Sequence, residues 1–378
     1  MNSSIKEKVF SFDRFKKNNG LTHSAFSAQI NPFFTYEWFS IWWKYFQNKN
    51  RRLCVFFSTK ETILPFYLED RKLYKELCCL GRGLIDYEDG FGEDDSSHLL
   101  IDLLRGENAD LISLIHIRED APIFSSLKET DSKFYNDFKI ILEKSVKSPF
   151  LRIKKWNNFE EYLRSKKNLK TDIPRRIRRL SEKGELKFAY CASCNEIKYV
   201  LGTMYEQHIR RRQFLGQRKS IFTDSNVRDF FNEVSCAVSN NRLFYLKLDR
   251  DIIAIAYCFQ SQEKLYYYIP TFDLEYSNYS PGKVLLYFII KYAFENNLKE
   301  IDFMIGEEDY KLRWNTDIRQ TYNLYIYYRK KLTGKVLILV NQVIKNNIIS
   351  KIKNFLHKIG IIDTVKFLRK KWYTAHHF

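Results

Sequence analysis

Four side chains near the end of the chain have the types needed for proton transfer beside a polar substrate. If residues 307 to 314 form a helix, Glu307, Tyr310, Lys311 and Trp314 stand at i, i+3, i+4 and i+7 and share one face. A carboxylate can take a proton, a phenol can return one, and an ammonium can stabilise developing negative charge. The competing reading is an ordinary Glu307–Lys311 ion pair beside a core indole. Just upstream, Ile301, Phe303 and Ile305 alternate as in a strand, with Asp302 between them, and Gly306 breaks the period. Glu307, Glu308 and Asp309 then supply the negative charge that a helix start favours.

A second stretch could hold an anion. The aromatic run Tyr266-Tyr267-Tyr268-Ile269-Pro270-Thr271-Phe272-Asp273 reads as a strand entering a turn, and Tyr279-Ser280-Pro281-Gly282-Lys283 reads as a helix start. Ser280 suits the N-cap, Pro281 the first helical position, and Gly282 lets the backbone approach a ligand closely. Free N–H groups there, with the charge of Lys283, suit a phosphate or diphosphate.

Together these residues resemble the CelD/BcsL-type acetyltransferases associated with bacterial cellulose and exopolysaccharide synthesis, a branch of the GNAT superfamily with a FemABX-like tandem build. The resemblance rests on Phe272-Asp273, on Tyr279-Ser280-Pro281-Gly282, and on Asp302-Phe303 followed by Gly306, Glu307, Tyr310-Lys311 and Trp314. Asn31-Pro32-Phe33 before Glu37-Trp38, Gly81 and Gly83 before Asp86-Tyr87, and Arg175-Arg176 with Arg178-Arg179-Leu180 add to it. It spans roughly residues 30 to 330 and is most specific in the last seventy of these. It implies an α/β (α+β) fold of two tandem GNAT (acyl-CoA N-acyltransferase) domains with mixed central sheets flanked by helices.

The implied reaction is transfer of an acyl group, acetyl above all, from acyl-CoA to an amine on an amino sugar or its nucleotide or lipid-linked form. Glu307 or Asp302 would receive the amine proton, Tyr310 would protonate the departing thiolate, and Lys311 would stabilise the carbonyl oxygen. Tyr268, Ile269, Tyr279, Ser280, Pro281, Gly282 and Lys283 would hold the acyl-CoA, the pantetheine lying where two strands splay. Asp86, Tyr87, Asp273 and Trp314 would face the acceptor. Two rivals are a FemX-like transferase using aminoacyl-tRNA, and a non-catalytic scaffold of a polysaccharide-synthesis complex.

Positioning these groups takes two similar series of elements. Residues 1–30 are expected to be a loosely docked arm and residues 31–152 a first GNAT-like half on the acceptor side. That half opens with an aromatic amphipathic helix to Phe46, followed by strands at 52–58, 62–68 and 73–80, a helix at 96–104, a strand at 111–117 and extended chain over 138–151. Residues 153–330 are expected to form the second, catalytic half. Its predicted helices cover 157–165, 171–183, bracketed by Pro174 and Gly184, and then 195–212 and 226–240. Strands follow at 242–248, 252–260 and 265–272, then the Pro281 helix, a strand to Ile305, the short helix to Trp314 and a final strand at 322–328.

The 378 residues, 45% hydrophobic and 16% aromatic, are enough for two or three cores and argue against disorder. Seven scattered cysteines, no secretory leader and no apolar run of membrane-spanning length point to a reducing cytoplasm. Cys191 and Cys194 form a lone CxxC without a second pair and are read as packing residues. His116 and His208 lie inside regular elements, and no cluster of ligating residues calls for a metal. A net charge of +18 suits anionic ligands or lipid, while the lack of any nucleic-acid module makes nucleic acid an unlikely partner. The four guanidiniums of Arg175, Arg176, Arg178 and Arg179 suit a phosphate. Residues 331–378 read as a basic amphipathic tail, docking on the core or on an anionic membrane at the inner face.

Overall fold

The computed structural model describes residues 5–9, 31–58, 63–90, 96–124, 137–216, 219–261 and 263–329. The tail at 331–378 and its membrane reading lie outside the described residues. One twelve-stranded sheet runs through the molecule. The chain opens with β1 (Ile5–Val9), α1 (Tyr36–Phe46), β2 (Arg51–Ser58), β3 (Ile63–Asp70), β4 (Lys75–Cys79), α2 (Ser96–Gly106), β5 (Leu111–Arg118) and the long β6 (Phe138–Arg152). It continues with α3 (Phe159–Ser165), α4 (Lys167–Ser181), β7 (Leu186–Tyr190), α5 (Cys194–Phe214), α6 (Ser225–Ala237), β8 (Asn241–Leu248), β9 (Asp251–Gln260) and β10 (Lys264–Phe272). The last elements are α7 (Pro281–Glu295), β11 (Glu300–Asp302), α8 (Asp309–Trp314) and β12 (Asp317–Tyr328).

Local chemistry explains most of these. Thr35 caps α1 by accepting from the Trp38 N–H, and Trp38, Phe39, Ile41 and Trp42 form its buried stripe. Asn158, Ser193 and Asp224 cap α3, α5 and α6 in the same way. Pro174 was expected near the start of its helix, but α4 begins at Lys167 and carries Pro174 inside. Burial of Leu169, Ile173 and Leu180 along one face extends the helix upstream and overrides the local break.

The strand order is β1-β2-β3-β4-β5-β12-β6-β11-β10-β9-β8-β7. The N-terminal arm therefore adds an edge strand, β1 pairing antiparallel with β2. In the middle, the halves exchange strands. β12, expected to close the second half, lies between β5 and β6, and the end of β6 pairs with β11. Each half holds one short parallel pair. β4 meets β5 over Glu76–Cys78, and β10 meets β11 over Lys264–Tyr266. Beyond these residues the paired strands part.

Two large apolar cores lie on the sheet. One joins α1 and the first-half strands to α5 and α6, with the Trp38 ring 5.0 Å from that of Phe230. The other packs α3, α4 and α7 against β8–β11. Cys194 at the start of α5 is bonded to Cys236 in α6, which corrects its reading as a packing residue. That disulfide is the feature that fits a reducing compartment least.

Candidate functional site

β11 is shorter than the alternation of Ile301, Phe303 and Ile305 predicted. The Asp302 carboxylate accepts the Met304 N–H at 2.7 Å, Met304 takes φ 61°, and regular strand geometry ends at Asp302, although the Phe303 and Gly306 N–H groups still bond β6 at 3.0 and 2.9 Å. Gly306 follows at φ 104°, where a Cβ would lie 2.7 Å from the Glu308 carboxylate. The helix then starts only at Asp309, with Glu308 at its N-cap. Glu307 is therefore not on the helix face that carries Tyr310 and Lys311. Its carboxylate is exposed and pairs with Lys147 at 3.1 Å. Lys311 pairs instead with Glu308 at 2.8 Å and donates to the Ile305 carbonyl at 2.6 Å.

Asp302, expected among the catalytic groups, has no solvent exposure. It accepts from the Tyr87 hydroxyl at 2.8 Å and from Ser148 at 3.2 Å, and Arg319 approaches it at 3.4 Å. Arg319 also bonds Glu300 and Asp120, each at 2.6 Å, and so crosses the seam between the halves. Tyr87 is likewise sealed, under the Arg118 guanidinium at 4.5 Å. Asp302 and Tyr87 are thus sealed between the two loops that flank the site and line none of the cavities described below. Trp314, expected on the acceptor side, is a core residue whose carbonyl accepts from Tyr162 at 2.6 Å. Asp273 caps the turn at Glu275 and lines none of the cavities described below.

Three cavities adjoin one another. The central one, about 490 Å³, lies where the two halves meet and is lined by Asp86, Tyr268, Ile269, Met304, Ile305, Glu308, Tyr310 and Lys311, with Arg211, Arg212 and Lys219 on the α5 side. Tyr310 and Arg211 also line an inner cavity of about 210 Å³ beside the free part of β10, with Tyr267, Pro270, Thr271, Phe272, Ser280, Gly282 and Lys283. Lys283 opens in turn onto an outer cavity of about 660 Å³ at the junction of α3, α4 and α7. Tyr268 and Ile269, expected on the donor, line the central cavity instead. A bulge between Tyr267 and Ile269 puts both against the same core, and Tyr268 donates to the Leu84 carbonyl at 2.7 Å.

The helix start of α7 also differs from expectation. Ser280 takes a left-handed conformation, makes no side-chain cap, and accepts from Arg176 at 2.8 Å. No side chain caps the start of α7 among the described residues: Pro281 has no N–H, the Lys283 and Val284 N–H groups donate to the Ser280 carbonyl at 2.9 and 3.4 Å, and the Gly282 N–H is the donor left at the edge of the inner cavity. Pro281 is buried at the first helical position, and Tyr279 packs on the second core under Arg179 at 5.2 Å. A Cβ on Gly282 would meet the Phe272 ring at 3.3 Å, a tight approach that the ring would have to yield to.

The central cavity has two carboxylates, and Glu308 is already paired. Burial pushes Asp86 up to about 7, against the pull of Lys311 and of the Ile305 N–H, which bonds it. The Tyr310 phenol is pushed above its ordinary value by burial and by Glu308, so it holds its proton. His208, also on this cavity, is lowered to about 4 by burial and by Arg212 and Arg211, and bonds Ser220 at 2.8 Å. His116 bonds the Asp86 carbonyl at 3.1 Å. Glu69, Glu76 and Cys78 converge in the first half, but Arg51, Arg71 and Arg82 already pair with these two carboxylates.

Sequence reasoning missed Tyr267, Thr271, Arg211, Arg212, Lys219, Lys166, Lys167 and Arg313. Tyr267 and Thr271 lie in the aromatic run from which Tyr268 and Ile269 were expected on the donor, and the Arg210-Arg211-Arg212 run at the end of α5 carries the signal for Arg211 and Arg212.

Residues 167–312 match the family model described as an acetyltransferase (GNAT) domain. No curated protein matches the chain. Among solved structures, the chain is similar to FemX, with a TM-score of 0.56 and 14% identity over 89% of this chain and 100% of that one. It is also similar to a conserved protein of unknown function from Bacteroides thetaiotaomicron, with a TM-score of 0.52 and 10% identity over 83% of this chain and 95% of that one. The fold is tandem GNAT-like, a mixed sheet flanked by helices, of the GNAT acyltransferase type.

Proposed function

We propose that this chain is an acyl-CoA-dependent N-acyltransferase, with acetyl-CoA as donor and an amine-bearing sugar, or its nucleotide or lipid-linked form, as acceptor. The setting we propose is bacterial surface polysaccharide synthesis of the CelD/BcsL type, on the cytoplasmic side of the membrane. One observation carries the reading. The vacant gap beside β10 links a cavity with a poised carboxyl and a phenol to a cationic helix start.

Beyond Tyr266, β10 has no β11 partner, and apart from the Pro270 carbonyl, which accepts from Arg211 at 3.2 Å, the backbone groups on that edge are available to a ligand. The pantetheine arm of the donor lies along them in the inner cavity, and its diphosphate meets the start of α7 and Lys283. The thioester then reaches Tyr310, where the inner and central cavities meet. The amine waits in the central cavity beside Asp86, which takes its proton as nitrogen attacks the carbonyl carbon. The tetrahedral intermediate collapses, the C–S bond breaks, and the thiolate takes its proton from Tyr310. Lys311 serves as the charge partner of Asp86, since its ammonium is already held by Glu308 and Ile305. Residues 31–152 are the acceptor half in this reading, and residues 153–330 the donor half.

Mass spectrometry of amino-sugar nucleotides incubated with the protein and acetyl-CoA tests the reaction, with one added acyl group as the expected product. A calorimetric titration with acetyl-CoA that shows no heat would favour the scaffold reading. A second donor, aminoacyl-tRNA, is favoured by the outward-facing Arg175 and Arg178 of α4, whose side chains are 61% and 73% exposed. Activity in a tRNA-free assay excludes it. Binding of residues 331–378 to anionic vesicles remains part of the proposal, and co-sedimentation of the full and truncated chains measures it.

A further inference from the structure

The outer cavity has a charge balance that the protein does not settle by itself. Among the described residues, Lys166, Lys167, Arg176, Lys283 and Arg313 line it together with a single carboxylate, Asp172. That carboxylate is committed, accepting from Arg175 at 3.0 Å and from Arg176 at 2.8 Å. Lys166 donates to the Asn315 carbonyl at 2.6 Å, and Arg176 also reaches Ser280. The side chains of Lys167, Lys283 and Arg313 have no ion pair or hydrogen bond among the described residues. Burial holds Lys283 below its ordinary value, and Arg176 and Arg313 lower it further. Asp172 offsets only part of this, and Lys167, Lys283 and Arg313 bring three cations from three elements around open space, an arrangement that an anion relieves.

We infer that the outer cavity is an anion site for a phosphate monoester at the far end of the donor, and that the chain selects a donor by that phosphate. The inference rests on reading the inner cavity as the site of the donor's pantetheine arm. Position supports it, because Lys283 lies on both cavities and a donor leaving the inner one at the start of α7 enters the outer one directly. Charge supports it too. A phosphate monoester carries nearly two negative charges at neutral pH, whereas a phosphodiester carries one. Concave lining by a guanidinium and two ammoniums also suits a compact dianion better than a flat lipid surface.

The test compares CoA with dephospho-CoA by calorimetry on the full chain and on the double variant Lys167→Ala with Arg313→Ala. Both residues are exposed, so the variant's melting temperature should match that of the wild type. CoA is expected to bind the wild type at least tenfold more tightly than dephospho-CoA, since charge-assisted hydrogen bonds of this kind are worth about a factor of ten or more. In the variant the two should bind within about twofold of each other, through loss of CoA affinity alone. Equal binding of both by the wild type overturns the inference. Adenosine 3′,5′-bisphosphate, which lacks the pantetheine arm, separates this failure from failure of the donor reading. If it binds the wild type and not the variant while neither CoA form binds, the anion site stands and the acyl-CoA reading falls. If a deacylated tRNA binds more tightly than CoA and loses that binding in the variant, the occupant is RNA and the inference is wrong.

Discussion

The two halves open the same kind of gap and treat it in opposite ways. In the first, β4 and β5 part after Cys78 and Ser113, and the loop that follows β4 fills the space. Glu88 exchanges hydrogen bonds with the Ile115 backbone at 3.0 and 3.2 Å, replacing the missing strand. Arg82 then ties Glu88 at 2.7 Å to Ser113 at 2.7 Å and to Glu76 at 3.2 Å. In the second half, β10 and β11 part after Tyr266 and Asp302, and among the described residues the Arg211 side chain reaches across the gap to the Pro270 carbonyl at 3.2 Å without filling it. A sheet opening leaves backbone groups that need partners. One half supplies them from its own chain and becomes a wall of the site. The other covers one of them, the Pro270 carbonyl, with Arg211 at 3.2 Å and sets the rest beside Lys283, which has no side-chain partner among the described residues, so this is the side we read as taking a ligand.

Breaking the filled gap should have the largest effect. Arg82→Met leaves Glu88 buried with its ion-pair partner removed, while Glu76 keeps Arg71 at 3.2 Å, a change worth about 3–5 kcal/mol of stability. Denaturant titration of the variant should show that loss whether or not acetyl-CoA is present. A loss below about 1 kcal/mol would mean that the loop is held by its backbone and that the comparison overstates the charges.

Asp86→Asn acts at the rim between the gaps. It should lower kcat/KM about a hundredfold near neutral pH and abolish the fall in rate below about pH 7 that a base of this pKa imposes. The stability effect has a fixed sign. The folded carboxyl holds its proton more tightly than the unfolded one, so its contribution is present below about pH 3.8 and is lost as pH rises through about 7. The asparagine variant should therefore melt higher than the wild type at pH 8 and show a smaller difference at pH 4. An unchanged pH–rate profile would remove Asp86 from proton transfer.

The vacant gap can be narrowed without touching a charge. Gly282→Val places carbon against Phe272, where a Cβ alone would lie 3.3 Å from the ring, and fills space at the helix start. Donor affinity should fall about tenfold, the acceptor KM should hold, and the melting temperature should change little. Equal weakening of donor and acceptor would point to a folding defect.

What the sequence made legible follows from the range of the interactions. Strand alternation and the Pro281 helix depend on neighbours a few residues apart, and most of those elements stand close to where their patterns place them, although Ser280 makes no cap and α4 begins upstream of Pro174. The exchange of β6 and β12 depends on pairings between residues far apart in the chain, such as Asp317 with Phe150, and no local period records it. Asp302 misled for a physical reason: its own carboxylate captures the Met304 N–H and ends the strand that alternation extended to Ile305. Trp314 misled because an indole on the inner face of a helix has the same spacing whether it packs or binds. The cations of the outer cavity escaped notice because Lys167 and Arg313 meet only after the sheet is assembled.

The smallest effect is expected at Glu307, and it separates the helix-face reading from the geometry. A helix over 307–314 would set its carboxylate beside Tyr310 and Lys311, where Glu307→Gln would stop proton transfer. In the structure the residue precedes α8, and its pair with Lys147 has side chains 47% and 43% exposed. The loop is held independently by the Gly306 N–H on the Lys147 carbonyl at 2.9 Å. An exposed pair of this kind contributes at most about 1 kcal/mol, so Glu307→Gln should melt close to the wild type and turn over within about twofold of it. Glu308→Gln is the paired measurement. It removes the partner of Lys311 on the central cavity and should shift the pH–rate profile of the neighbouring Asp86 toward lower pH, because a negative neighbour that raises that pKa is gone. If the two variants exchange behaviours, the chain after Gly306 winds into helix when substrate binds, and the catalytic carboxylate is the one the sequence pattern selected.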